Sequence, residues 1–133
     1  MYAGVIPILV SHALRGESPT IDGDGEQTRD FTHVHNAVEA NLRAAHVDGI
    51  ASAGRVYNVG CGQRISIKRL WAAIAAAAGR PELPARHGPP RPGDVRDSLA
   101  DLTAIRRDLG YEGALTLEKG LVPTVEWYRG VLG

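Results

Sequence analysis

The 133-residue sequence is poor in cysteine. Cys61 is the single one, so no internal disulfide framework can form, and a lone thiol fits a reducing compartment. Net charge is lacking as well. The 15 Lys and Arg residues cancel the 15 Asp and Glu residues, giving a formal charge of +0. No global field then attracts nucleic acid or an anionic membrane, and any anion binding has to be local. No apolar run reaches the roughly 18 to 20 residues that cross a bilayer. The first ten residues have no basic start and are broken by Pro7. They make a poor secretory leader, which leaves the cytoplasm as the expected location. Two chemical motifs are missing too. No G-x-G-x-x-G occurs, because Gly60-Cys61-Gly62 runs on into Gln63-Arg64-Ile65. That turn is the one whose N–H groups bind the pyrophosphate of a dinucleotide. No Y-x-x-x-K occurs, because Tyr2, Tyr57, Tyr111 and Tyr128 each lack a lysine four residues on. No metal site is expected. His33 and His35 would share one face of a strand, but no third ligand is spaced to join them, and a closed zinc site wants four. Cys61 has no evident partnering base and reads as a small buried thiol.

The length suits one domain over residues 1–133 with a sizeable core. Short strands and helices alternate, which predicts an α/β architecture. A helix is expected over residues 5–14, with Pro7 in its first turn, where a missing N–H costs little. Strands at residues 20–21 and 28–33 flank the turn Gly23-Asp24-Gly25 and suggest a hairpin-like pair. His35 or Asn36 would cap a helix running to about His46, with Val38, Leu42 and Ala45 on its apolar face. Residues 48–55 read as a linker, and residues 56–59 (VYNV) as a buried strand. Ser66 caps the next helix, which stops at Gly79. A proline-rich connection with a short strand at residues 85–87 follows, then an extended piece at residues 98–100. Asp101 and Thr116 would cap the last two helices. Trp71 and Trp127 fall on apolar helix faces and read as core.

Two segments carry binding chemistry, GDGEQTRDF at residues 23–31 and RPGDVRDSLAD at residues 91–101. Arg29 follows a glycine turn, and its guanidinium can hold a phosphate bidentately. Arg91 sits in a proline-stiffened loop that limits the entropy lost on binding. Asp94 can accept two hydrogen bonds from the vicinal hydroxyls of a ribose. The set suits a nucleoside diphosphate. Simple surface ion pairs, Arg29 with Asp30 and Arg91 with Asp94, are the alternative on residue type alone.

Six stretches occur in one order: AGVIP, TIDGDGEQTRDFTHV, VYNVGCG with IS following, GPPRPGDVRDSLAD, LGYEGALTLEKGL and TVEWYR. Together they resemble the C-terminal substrate part of the extended short-chain dehydrogenase/reductase family, the NAD-dependent nucleotide-sugar epimerases and dehydratases, and most closely the UDP-hexose 4-epimerases. The resemblance implies an α/β fold of Rossmann type without its dinucleotide-binding half. It implies that Arg29 and Arg91 hold the diphosphate and Asp94 the ribose. Val5, Thr20, Asp22 and Ile67 would line the base and sugar. Ser98, a small residue, would leave room for an acetamido group on sugar C2. Asp22 departs from the aromatic or amide residue common there, and Cys61 and His35-Asn36 also depart from the pattern. The expected ligand is a UDP-sugar. The expected catalytic and cofactor residues in this chain are none, since the family's NAD and its tyrosine–lysine pair belong to the other half. The chain would be inactive alone and would need a cofactor-domain chain in trans, with residues 56–59 joining its sheet. A non-catalytic nucleotide-sugar binder and a remnant of a truncated gene are the alternatives. For the chain alone, self-association or a loosely packed state is expected, with residues 56–59 and the first helix at the exposed surface.

Overall fold

The computed structural model describes residues 4–47 and 54–132. Most of the expected linker, and Ala3 of the AGVIP stretch, lie outside them. Helix α1 (Val5–Arg15) begins with Pro7 in its first turn and stops at Gly16, whose φ of 73° places it in the left-handed region that glycine enters freely. Leu9, Val10 and Ala13 of α1 are buried. The expectation that this helix lies at the surface is therefore corrected. It is amphipathic, and only its Ile8 side faces outward.

The expected hairpin is not formed. Strand β1 (Thr20–Asp22) pairs in parallel with β4 (Arg86–Gly88), and β2 (Thr28–Arg29) pairs antiparallel with β3 (Ile65–Ser66). The glycine turn at residues 23–25 thus passes the chain between two small sheets instead of folding it back on itself. The expected strand over residues 28–33 shortens to Thr28–Arg29 for the same reason, since only two positions find a ladder partner.

Helix α2 (Val34–His46) is capped by His33, whose Nδ1 accepts the His35 N–H at 3.1 Å. This corrects the caps expected at His35 and Asn36, and it removes these histidines from any strand. Asn36 lies inside the helix, fully buried, with a different task. Its Oδ1 accepts the Leu115 N–H at 3.1 Å and its Nδ2 donates to the Leu115 carbonyl at 2.8 Å. Both ends of the amide are satisfied by a loop 79 residues away, as a buried polar group requires. The apolar face of α2 is not buried: Val34, Val38 and Leu42 are exposed.

Helix α3 (Ile67–Ala77) starts at Ser66, whose hydroxyl accepts the Arg69 N–H at 3.2 Å. Helices α4 (Thr103–Leu109) and α5 (Leu117–Leu132) complete the chain, and the Asp101 carboxylate accepts the Thr103 N–H at the entry to α4. Helices α1, α3 and α5 pack around Val10, Leu70, Ile74 and Val125, with Ile21 and Ile65 from the strands beneath. A smaller cluster joins Ala40 of α2 to Leu102, Ile105, Leu109 and Tyr111. Trp71 is core, but Trp127 is 62% exposed, which corrects its placement. Residues 56–59 form no ladder, and Val56 is 95% exposed, so the buried strand expected there is absent. Residues 98–100 form no strand either.

Candidate functional site

Alternation along β1 turns Ile21 into the core and Thr20 and Asp22 outward. Across from them Val5 at the start of α1 and Ile67 at the start of α3 supply an apolar wall. The resulting cleft, about 370 Å³, is lined by Val5, Thr20, Asp22, Arg29, Ile67, Arg91 and Asp94. These are seven of the eight positions singled out from sequence. Ser98 does not line it. Its side chain is exposed and its N–H donates to the Thr28 carbonyl at 3.2 Å. A second lobe of about 490 Å³ shares Asp22, Arg91 and Asp94 and continues to Asp24, Pro90 and Arg96.

The loop that carries Arg91 is shaped by its own sequence. Pro92 and Gly93 occupy the middle of a turn closed by the Asp94 N–H on the Arg91 carbonyl at 3.2 Å, and Gly93 has φ of 78°. Proline second and glycine third is the signature of a type II turn. From Arg91 to Leu99 every residue is exposed as a whole and none enters the apolar core, so apolar burial does not hold this segment. Polar contacts to β2 hold it instead. Thr28 donates its hydroxyl to Asp97 at 2.7 Å and its N–H to the Arg96 carbonyl at 2.8 Å. Arg29 donates through Nη1 to the Val95 carbonyl at 2.6 Å and through Nη2 to the Asp94 carboxylate. Arg96 forks onto Asp24 at 2.7 and 3.0 Å.

Neither surface pair expected from residue type forms. Arg29 pairs with Asp94, not Asp30. Asp30 turns the other way and accepts the N–H groups of Cys61 at 2.9 Å and Gly62 at 3.0 Å, with Ala100 at 3.4 Å. A Cβ on Gly60 would meet Asp30 Oδ2 at 2.5 Å, so glycine is required there. The N–H groups of Cys61 and Gly62 are committed to that carboxylate and do not offer themselves to a dinucleotide pyrophosphate.

Within the two lobes the Arg29–Asp94 and Arg96–Asp24 pairs are internally satisfied. Arg91 and Asp22 have no side-chain hydrogen-bond partner among the described residues. Sequence reasoning missed Gln27, which lines both lobes and donates to the Asp22 carbonyl at 2.9 Å, and it missed the Asp24–Arg96 pair. All three lie inside the quoted motifs, but nothing in residue type marks them as facing the cleft.

Asp24 in the second lobe, and Cys61 and Tyr111 outside the cleft, are shifted by their surroundings. The hydrogen bond from Arg96, aided by the Glu26 N–H, lowers Asp24 to about 2. Burial raises the Cys61 thiol, which disfavours the nucleophilic thiolate. Tyr111, fully buried, is raised to about 12 by desolvation, and its hydroxyl donates to the Gly60 carbonyl at 2.7 Å. Among the described residues no group of three His, Cys, Asp or Glu side chains is gathered for a metal ion, and no helix is long and apolar enough to cross a membrane.

Comparison with known proteins adds the family. The GDP-mannose 4,6 dehydratase family model matches residues 2–124. A UDP-glucose 4-epimerase of Mycolicibacterium smegmatis is 42% identical over 96% of this chain, which covers 39% of that protein. A dTDP-glucose 4,6-dehydratase of Streptomyces niveus is 35% identical over 94% of this chain and 36% of its own length. Among solved structures, UDP-glucose 4-epimerase of Thermotoga maritima with UDP-glucose superposes with a TM-score of 0.85. Its identity is 38%, over 98% of this chain and 41% of that one. UDP-N-acetylglucosamine 4-epimerase of Methanobrevibacter ruminantium, with UDP-N-acetylmuramic acid, gives 0.79 at 34% identity over 98% and 40%. The chain thus spans about two fifths of the length of the relatives it matches. With a family model over nearly its whole length, it belongs to the NAD-dependent epimerase/dehydratase family and corresponds to the C-terminal part of those enzymes.

Proposed function

We propose that the cleft binds a UDP-hexose and that the chain is the nucleotide-sugar-binding part of a sugar-nucleotide 4-epimerase. One observation carries this reading: a guanidinium with no side-chain partner among the described residues, Arg91, shares an apolar-walled cleft with the Arg29–Asp94 pair. Arg91 meets the diphosphate, Arg29 reinforces it, and Asp94 accepts from the ribose hydroxyls. Val5 and Ile67 flank the base. A role for Ser98 beside sugar C2 belongs to the same proposal and requires the sugar to run along β2 past Thr28. The hydride chemistry of such an enzyme needs NAD and an acid–base tyrosine. Cys61, Tyr111 and the committed Gly60–Gly62 turn do not supply these, so the chain by itself turns nothing over.

Exposed Val34, Val38 and Leu42 on α2, with Val56 and Val59 nearby in sequence, support docking of a cofactor-binding half or of a second copy. Titration calorimetry with UDP tests the binding reading. Wild type binds, and Arg91→Ala loses on the order of 1.5–3 kcal/mol, the worth of a charge-assisted contact. Epimerisation of UDP-glucose by the pure chain with added NAD would refute the inactivity. Equal UDP binding by wild type and an Arg29→Ala, Arg91→Ala double variant would refute the site. A UDP-binding chain that gains no turnover with any cofactor half would favour a non-catalytic binder.

A further inference from the structure

We propose that Asp94 acts as an anion filter: its carboxylate occupies Arg29 and thereby rejects bare phosphate and pyrophosphate, while a ligand carrying a ribose diol is admitted. This rests on reading the cleft as a nucleoside-diphosphate site, and it adds a selective role to Asp94.

Arg29 is held by three contacts. One terminal nitrogen is spent on the Thr28 and Val95 carbonyls, at 2.7 and 2.6 Å. The other gives one of its two N–H groups to Asp94. Both side chains of this pair are only about 30% exposed, at 29% and 31%, so water screens them incompletely. The guanidinium is thus anchored by two neutral acceptors and one anionic one. Only the anionic acceptor is exchangeable without unfastening the 91–99 segment from β2.

An anion that approaches Arg29 has two choices. It can share the guanidinium with Asp94, which places two negative charges side by side. Or it can displace Asp94, which leaves a partly buried carboxylate with no donor beside the new anion. Like charges in such a setting are costly, and removing a partner from a half-buried charge leaves its desolvation uncompensated. Inorganic phosphate and pyrophosphate bring no donor to offset either cost. A nucleoside diphosphate does. Its two ribose hydroxyls donate to Asp94 as the phosphate takes the guanidinium, so each group exchanges one partner for another. Arg91 has no carboxylate on it and gives first capture to any anion. Discrimination therefore lies at Arg29 and Asp94, not at Arg91.

The type II turn fits this division of labour. It sets Asp94 three residues from Arg91 with its backbone tied to the Arg91 carbonyl, so filter and capture group move as one unit.

The test is calorimetry of the full 133-residue chain with three probes: inorganic pyrophosphate, UDP and 2′-deoxy-UDP. Asp94→Asn keeps the shape and removes the charge. The expected result is that pyrophosphate binds the variant about fivefold tighter, the scale of one partly exposed ion pair, while UDP binds more weakly. The ratio of UDP to pyrophosphate affinity collapses. Loss of the 2′-hydroxyl costs wild type more than it costs Asp94→Asn, a coupling that a merely structural role would not produce. A thermal melt and the circular dichroism spectrum report whether the variant folds. Should Asp94→Asn unfold, Asp94→Ser is read in the same way. If the folded variant weakens UDP and pyrophosphate equally, the filter is overturned while the nucleotide site stands. If wild type binds none of the three probes, the site and the filter fall together.

Discussion

The helical core and the segment at residues 91–99 are built by opposite means. Leu70, Ile74 and Val125 touch no solvent and are held by apolar burial alone. The segment beside β2 places no side chain in the apolar core, and ion pairs and hydrogen bonds set its position. One region holds the fold without offering chemistry. The other offers chemistry and contributes little to the fold. Substitutions should therefore sort cleanly into those that change stability and those that change binding.

The largest effect should come from the core. Leu70→Ala is expected to lose about 2–5 kcal/mol of unfolding free energy, from lost transfer energy and the cavity left behind. Denaturant titration measures it, and UDP affinity per folded molecule should not change. A loss of affinity in the folded fraction would mean that the two regions are not separable.

Arg91→Ala is the converse. UDP binding should fall by roughly 1.5–3 kcal/mol, while the melting temperature stays put, because Arg91 has no side-chain partner among the described residues to lose. A drop of several degrees in the melt would show that the loop carries fold stability after all.

Gly60→Ala probes the seam. Its Cβ would strike Asp30 Oδ2 at 2.5 Å and the Ala100 Cβ at 2.8 Å, where the core-side turn meets the end of the segment. Crowding of this kind costs about 1–3 kcal/mol, and here both readouts should fall together. Unchanged stability would show that Asp30 swings away without cost.

The smallest effect concerns acid. Asp24 is lowered to about 2 from an ordinary 3.8 by Arg96. A carboxylate with a lowered folded-state pKa adds stability above its unfolded pKa and loses it as pH falls through the folded value. The Asp24–Arg96 contact should thus hold at pH 5 and dissolve between about pH 4 and pH 2. Carboxyl NMR titration should find Asp24 low in wild type and returned toward 3.8 in Arg96→Gln. An ordinary pKa in wild type would place the fork in solvent.

What could be read from the sequence divides along the same line. Helix limits were legible wherever a local residue sets them: Ser66 starting α3, Asp101 before α4, and the left-handed glycines at Gly16 and Gly110 ending α1 and α4. Of the seven cleft positions, Arg29, Arg91 and Asp94 were legible from residue chemistry, and Val5, Thr20, Asp22 and Ile67 only through the resemblance to the family. The strand partners were not. A glycine turn between two short strands looks like a hairpin, and nothing nearby announces that β1 pairs instead with β4, beyond residue 85. Asn36 could not be told from a helix cap, because its true partner is the distant Leu115. The exposed face of α2 and exposed Trp127 fail differently. Their apolar spacing is that of a buried face, yet Val34, Val38, Leu42 and Trp127 are exposed among the described residues.

Arg29 and Asp94 stand 65 residues apart in the chain, and Thr28 and Asp97 stand 69 apart. These contacts are polar and largely exposed, whereas the equally long-range packing of α1 on α5 buries apolar side chains. The pocket's fastening to β2 should then open first in native fluctuations. Hydrogen exchange would follow that order, with the Thr28 and Ser98 amides, which bridge the two segments, exchanging ahead of the amides along α3. The pocket would then exist as an equilibrium between fastened and open forms in the folded chain. A ligand that binds only the fastened form would slow exchange at those two amides and leave the interior of α3 unchanged.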